Sequence, residues 1–384
     1  MQSDINALVC TCGTTLLRHW ANDSWDDVAC PGNKSLEALK IALRHIKDPE
    51  NDRRVGAEIN SITSIQRLYA PELKEIIFLV SDTEEGKNIG EILCNHYEHQ
   101  NIKSRYIVIV GLQSTDHKLF RQKGLINLVQ EMFNTIKNLQ NKGYTVGVNA
   151  TGGYKAQIAF AVLLGQALKV KVFYRFEDFN EVITLPPLPV NFDFGAWLKY
   201  YEILTLAHNE TTIDAGRIPF NSDEELQVLF EREGKKASLS YTGVIFYETF
   251  KEYIRTEVNL PARSDKSPEE RIKNIALRVE HHWSGIQGLK SLLERLMREF
   301  DFIERIESFY SNPRMPGKTI FRFPSDIGHK GAVNKLELIY SDGQGTVKLW
   351  VTTTAKNEAE LARACEELNE WIKRNQGSNC SYVL

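Results

Sequence analysis

Val146-Gly147-Val148-Asn149-Ala150-Thr151-Gly152-Gly153-Tyr154-Lys155, continued by the run from Ala156 to Leu168, reads as a strand that stops and a helix that starts at paired glycines. Gly152 and Gly153 let backbone approach an anion closely, and the first N–H groups of the following helix lack intrahelical acceptors. Lys155 adds a mobile positive charge. A phosphate is the expected guest. The spacing matches neither a Walker A loop nor G-x-G-x-x-G, so the mononucleotide and dinucleotide fingerprints both fail. A plain structural turn is the alternative, since every α/β chain needs such turns.

Outward from this stretch the pattern alternates. Strands are expected at Ala7-Leu8-Val9-Cys10, Ile76 to Val80, Arg105 to Val110, Thr145 to Val148 and Lys171 to Arg175. Between them, helices are expected at Ser35 to Ile46, Ala57 to Leu68, Lys87 to His99, Gly124 to Asn141 and Ala156 to Leu168. Such alternation implies an α/β fold, a Rossmann-like parallel sheet with helices on both faces and ligands at the strand C-termini. Those ends carry Thr11 to Thr15, Ser81-Asp82-Thr83, Gly111-Leu112-Gln113 and Asn149 to Gly153, all small, polar or glycine-bearing.

The prolines of Leu185-Pro186-Pro187-Leu188-Pro189 end the alternation and set a boundary near residue 190. Beyond it, a helix capped at Ser222 and running to Arg232, a turn at Glu233-Gly234-Lys235, an extended Ser238-Leu239-Ser240 and a helix from Gly243 to Arg255 suggest a small winged-helix-like module. A helical spacer or dimer platform is the plainer reading of the same residues. The linker from Leu260 to Pro268 opens a last α+β domain: helices Glu269 to Trp283 and Ile286 to Phe309, strands Lys318 to Phe323, Asn334 to Ser341 and Thr346 to Thr354, a hairpin turn at Ser341 to Gly345, and a closing helix Asn357 to Arg374. Domains are thus expected at 1–190, 191–260 and 261–384.

From Ser311 to Lys356 there are seven bases and only three acids, Asp326, Glu337 and Asp342, a local charge of +4. By the period of two, Lys318 and Arg322 project from one face of their strand, and His329 and Lys330 follow in a glycine- and proline-rich loop. RNA cleavage proceeds without metal when a base activates the 2′-hydroxyl and cations stabilise the phosphorane, so a Lys/Arg/His cluster suffices chemically. A solvated sheet face explains the same lysines without function. A PD-D/E-x-K site fails because Glu337 and Asp342 lack the matching E-x-K.

Asn149 to Lys155 together with the loop Thr11 to Thr15 resembles the CARF domain of type III CRISPR accessory proteins, over about residues 1–190. The resemblance implies a homodimer that binds a cyclic oligoadenylate, most often cyclic tetra-adenylate, as activator. It points to Thr14, Thr15, Thr151, Gly152, Gly153, Tyr154 and Lys155 as ligand residues, with Ser81 and Gln113 beside them. The last domain resembles RelE-type mRNA interferases through its helix pair, Asn312-Pro313-Arg314 and its basic strands. That resemblance implies ribosome-dependent cleavage of mRNA, with Lys318, Arg322 and Lys335 as phosphate and transition-state cations and His329 or Lys330 moving the proton. The family's C-terminal tyrosine and arginine have no convincing counterpart here. Two rival readings use the same residues: a transcriptional regulator whose middle module binds DNA, and a ring nuclease that uses Thr14 or Thr15 with Lys155.

Composition bounds these expectations. With 384 residues and 42% hydrophobic content, each of several domains can build a core. A net charge of −3 argues against a chain coated for nucleic acid but permits a local basic face. Cys10, Cys12, Cys30, Cys94, Cys365 and Cys380 form no C-x-x-C unit, so neither a zinc site nor a disulfide framework is expected, and no cofactor is implied. Asp4 near the start and the lack of any apolar run near 18 residues indicate neither export nor a membrane span, and a cytoplasmic location is expected.

Overall fold

The structure is a computed structural model that describes residues 5–28, 34–176, 179–188, 194–218, 220, 224–278, 286–315, 317–324 and 333–376. The chain divides into two compact units, Met1–Phe192 with Thr211–Glu248 and Asp193–Glu210 with Thr249–Leu384.

In the first unit the order is β1 (Ala7–Thr11), α1 (Thr15–Asn22), α2 (Leu36–Leu43), α3 (Gly56–Leu68), β2 (Glu75–Ser81), α4 (Glu84–Glu98) and β3 (Lys103–Ile109). It continues with α5 (His117–Leu119), a π-helical turn at Phe120–Gly124, α6 (Leu125–Asn141), β4 (Val146–Asn149), α7 (Lys155–Ala167), β5 (Lys171–Tyr174) and β6 (Ile183–Leu185). The strands lie in the order β3-β2-β1-β4-β5-β6, all neighbours parallel except the antiparallel edge pair β5/β6.

Burial explains why these segments are strands. Every residue of β1, β2 and β4 is buried, so each reads as an unbroken run of mainly apolar residues with no polar alternation, the mark of a strand covered on both faces. Leu8, Cys10, Ile76, Phe78 and Val80 pack on one side against Leu16 and Trp20 of α1, Leu39 of α2, Ile59, Ile62 and Ile65 of α3 and Ile92 of α4. Helix α6, with Leu128, Val129, Met132 and Ile136 buried, packs on β1 to β4. Helix α1 and the short α5 are additional to the expected set; Leu16 and Trp20, four residues apart, are the buried stripe of α1.

Also in the first unit is a three-stranded sheet of order β7-β9-β8, made by β7 (Ile213–Asp214), β8 (Phe230–Glu233) and β9 (Lys236–Leu239), coming after α8 (Phe194–Glu210) in the chain. Between β7 and β8 stands α9 (Glu224–Leu229); the expected helix to Arg232 stops early because Phe230 begins a strand. Ser222, its expected cap, lies outside the described residues. Helix α10 (Tyr241–Glu257) comes next.

The second unit continues with α11 (Pro268–Ile272), β10 (Ile275–Ala276), α12 (Ile286–Glu299), β11 (Ile303–Asn312), β12 (Ile320–Arg322), β13 (Lys335–Ser341), β14 (Thr346–Thr353) and α13 (Glu358–Gln376). Its sheet has the order β10-β11-β14-β13-β12, antiparallel from β11 to β12. Two helical expectations are corrected. Glu269 to Trp283 is helical only to Ile272 among its described residues, and Ile286 to Phe309 is a helix only to Glu299. From Ile303 on, that second segment belongs to β11, the longest strand of this sheet. It carries register shifts between Ile303/Arg305 and Ser308/Tyr310, and its buried Ile303 and Ile306 stand three apart, a spacing that imitates a helix. The hairpin β13–β14 closes as expected, Asp342 Oδ1 accepting from the N–H groups of Gln344 and Gly345. Among the described residues, no helix is long and apolar enough to cross a membrane.

Candidate functional site

Strand order reverses between β1 and β4, which places the crevice of a doubly wound sheet at their C-terminal ends. Both neighbouring strand ends turn into helices here: β1 runs through Cys12-Gly13-Thr14 into α1, and β4 runs through Ala150 to Tyr154 into α7. Neither helix has a side-chain N-cap, whereas α2 and α4 are capped by Ser35 and Thr83. Uncapped first turns leave N–H donors and the positive end of the helix dipole directed to the crevice.

The two loops are locked to each other. Thr11 Oγ1 donates to the Gly152 carbonyl at 2.6 Å, and the Gly13 N–H donates to Glu58 Oε1 at 2.6 Å. Glycine is required at both positions of the pair. A β-carbon on Gly152 would stand 1.9 Å from Glu58 Oε1, and Gly153 has φ +94°, a conformation that strains any other residue. Asn149 secures the strand end: its Nδ2 donates to Ser61 Oγ at 2.8 Å, and its Oδ1 accepts from the Thr151 hydroxyl at 2.7 Å. The Thr151 hydroxyl oxygen in turn accepts from the Arg175 N–H at 3.1 Å.

Glu58 is buried beneath this junction, and burial raises its carboxyl above the ordinary value while the Gly13 N–H works in the opposite direction. The Cys10 and Cys12 thiols are also raised, first by burial and then by the Glu58 charge, and thus stay protonated. Sequence reading gave no weight to Glu58, because an acidic residue in a helix ordinarily faces water. The one available signal was its place on the same stripe as Ile62 and Ile65, at spacings of four and seven.

The expected ligand residues fall into two groups. Thr14, Thr15, Thr151, Gly152, Gly153, Tyr154 and Lys155 belong to the two junctions at β1 and β4. Tyr154 is half-buried, its ring edge-on to Phe120 at 5.1 Å, and Lys155 is exposed. Ser81 ends β2, beside β1, but its hydroxyl bonds Thr83 Oγ1 at 3.0 Å as part of the α4 cap. Gln113 lies in the loop after the edge strand β3, where its amide oxygen accepts from Thr115 Oγ1 at 3.1 Å.

The second unit rearranges the expected cation cluster. Strand β12 comprises only Ile320 to Arg322, so Lys318 precedes it, exposed and outside regular structure, and the period-two argument does not reach it. Arg322 is not left without a counter-charge. Its Nε and terminal nitrogen fork onto the buried Glu337 carboxylate at 3.0 and 3.1 Å, and Lys348 Nζ lies 3.6 Å from the same group. Cross-strand pairing dictates this, since Arg322 sits opposite Glu337 in the β12/β13 register. Lys335, half-buried, pairs across to Thr352. His329 and Lys330 lie outside the described residues. Around Lys348 the face is aromatic: Tyr310 receives the ammonium at 5.5 Å, and Phe309 stacks on Trp350 at 4.2 Å. No group of three or more His, Cys, Asp or Glu able to hold a metal ion occurs among the described residues.

Among solved structures, the chain is similar to protein VC1899 from Vibrio cholerae, at 8% identity and a TM-score of 0.26 over 91% of this chain and 77% of that one. It is also similar to Can2 from Sulfobacillus thermosulfidooxidans, whose structure is a complex with cyclic tetra-adenylate, at 12% identity and a TM-score of 0.24 over 65% of this chain and 66% of that one. Scores this low carry no argument about the present chain. Residues 53–188, from just before α3 to just beyond β6, match the family model described as CRISPR-associated protein (Cas_APE2256), so that much of the first unit is similar to a CRISPR-associated family.

Proposed function

We propose that the first unit is a receptor for a cyclic oligoadenylate, cyclic tetra-adenylate by the CARF resemblance, acting in a CRISPR-associated response. The observation that carries this reading is the convergence of two uncapped helix N-termini and a Gly-Gly turn on one switch point, with Lys155 at its edge. A ring of ribonucleotides presents phosphates at regular intervals, and such donors favour phosphate. A ring of four has two-fold symmetry, so two copies of this chain offer it identical halves. The match of residues 53–188 to a CRISPR-associated family supports the same context.

For the second unit the proposed activity is metal-independent endoribonuclease action on ribosome-bound mRNA, gated by the ring. Its support is the basic, aromatic sheet face around Lys348, with Lys318 and Lys335 nearby in sequence and Arg322 reassigned to holding Glu337. The ring-nuclease reading has its own support, because Thr14, Thr15 and Lys155 border one crevice where a ribose hydroxyl and its phosphate would meet. DNA reading by the β7-β9-β8 module is less well supported: between β7 and β8 the described residues contain a six-residue helix and a short 3-10 turn, not a helix pair for a major groove.

The test is translation in a purified system with and without cyclic tetra-adenylate. Ring-dependent cutting of mRNA only on ribosomes is expected. Intact mRNA together with linear adenylate products would favour the ring nuclease and remove the interferase reading.

A further inference from the structure

Gln157 is the third residue of α7, its backbone N–H bonded to the Tyr154 carbonyl at 2.8 Å. Its side chain is wholly buried, and neither Nε2 nor Oε1 has a hydrogen-bond partner. A buried carboxamide with both ends unmet is unusual, since each orphan costs on the order of 1–3 kcal/mol. Nothing in the helix demands it: the next buried positions on this stripe, Phe160, Ala161 and Leu164, are apolar. The amide also lies directly under the turn that borders the crevice. A β-carbon on Gly153 would stand 2.0 Å from Gln157 Oε1 and 3.3 Å from the Cys12 carbonyl, so the amide lies against the inner side of the Gly-Gly turn where the two loops meet.

The group that can meet it is constrained by chemistry and by space. A phosphate oxygen only accepts, and would leave the amide oxygen orphaned. A hydroxyl both donates and accepts, as the carboxamide requires. The surroundings are tightly packed: a β-carbon on Gly13 would be 3.1 Å from the Gly153 nitrogen, and one on Gly152 would stand 1.9 Å from Glu58 Oε1. A hydroxyl is small enough to reach the amide after a small displacement of the turn, and a nucleobase is not.

We propose that Gln157 is a specificity residue that reads a ribose 2′-hydroxyl of the bound ring while the α7 N-terminus and Lys155 hold the neighbouring phosphate. The inference rests on the cyclic-oligonucleotide reading of the same site. It makes the receptor selective for ribose over deoxyribose, because an unmet amide is satisfied only by the ribose form.

The experiment compares binding of cyclic tetra-adenylate and its all-2′-deoxy analogue to the full chain and to Gln157→Met, which keeps length and removes both polar atoms. The wild type is expected to prefer the ribose ring by roughly tenfold or more. Gln157→Met is expected to bind both rings alike, near the wild-type affinity for the deoxy ring, with Lys155→Ala weakening both rings in either background. A wild type that binds the two rings equally overturns the proposal without any variant, and leaves the receptor reading intact if Lys155→Ala still weakens both. Retained discrimination in folded Gln157→Met makes the residue merely structural and also overturns it. Failure of the wild type to bind either ring removes the receptor reading together with this one.

Discussion

At the scale of single residues, function and stability separate most clearly at Arg322 and Lys318. Arg322 holds a buried carboxylate, so Arg322→Ala removes the forked guanidinium from Glu337 and is expected to cost roughly 2–3 kcal/mol, reduced from a fully buried pair by the arginine's partial exposure. Lys318 is exposed, and Lys318→Ala is expected within about 0.5 kcal/mol of the wild type. Urea unfolding of the two variants checks this; equal stability would remove the ion-pair role given to Arg322. Gly152→Ala drives a methyl into Glu58 and toward the Thr11 carbonyl, 2.9 Å away, and is expected to lose about 1–3 kcal/mol and most ring binding. Glu58 supplies a pH signature. Its carboxyl is raised above the ordinary 4.5, so between that value and its folded value the folded chain holds the extra proton. Its contribution is present at low pH and is lost as pH rises through the folded value. Melting curves of Glu58→Gln, which keeps an acceptor for Gly13, are expected to gain on the wild type as pH rises above 4.5 and then run parallel. A constant offset across that range would contradict the protonated carboxyl.

Elements were legible in sequence where burial was uniform. β1, β2 and β4 are covered by neighbours, so their apolar runs admit one reading, and the paired glycines marked the start of α7 directly. β11 was not legible, because its bulges put Ile303 and Ile306 at helical spacing directly after a real helix. α1 hid within a loop reading since Thr14 and Thr15 suggested only a polar turn, while Leu16 and Trp20 marked the helix. The site itself was half legible. Residues exposed at the crevice, such as Lys155, announce themselves by type; Glu58 and Gln157 are buried below it, and for Glu58 the sole sign of this in the sequence is its place on the apolar stripe of Ile62 and Ile65. Arg322 looked available because sequence cannot set the register that places Glu337 opposite it.

For the whole molecule, two units carry chemically different surfaces. The first offers donors to anions at a sheet crevice, and the second a basic and aromatic sheet face. A ligand at the first changes activity in the second only through unequal affinity for two states of the chain. Receptor binding therefore comes before any claim of gating. The direct measurement is calorimetric titration of cyclic tetra-adenylate into the full chain and into Lys155→Ala. Saturable binding at one ring per two chains, weakened at least roughly tenfold in Lys155→Ala, is the result expected for loss of a charge-assisted phosphate contact. No heat of binding to the wild type, or binding untouched by Lys155→Ala, would contradict a ring receptor at the β1/β4 crevice.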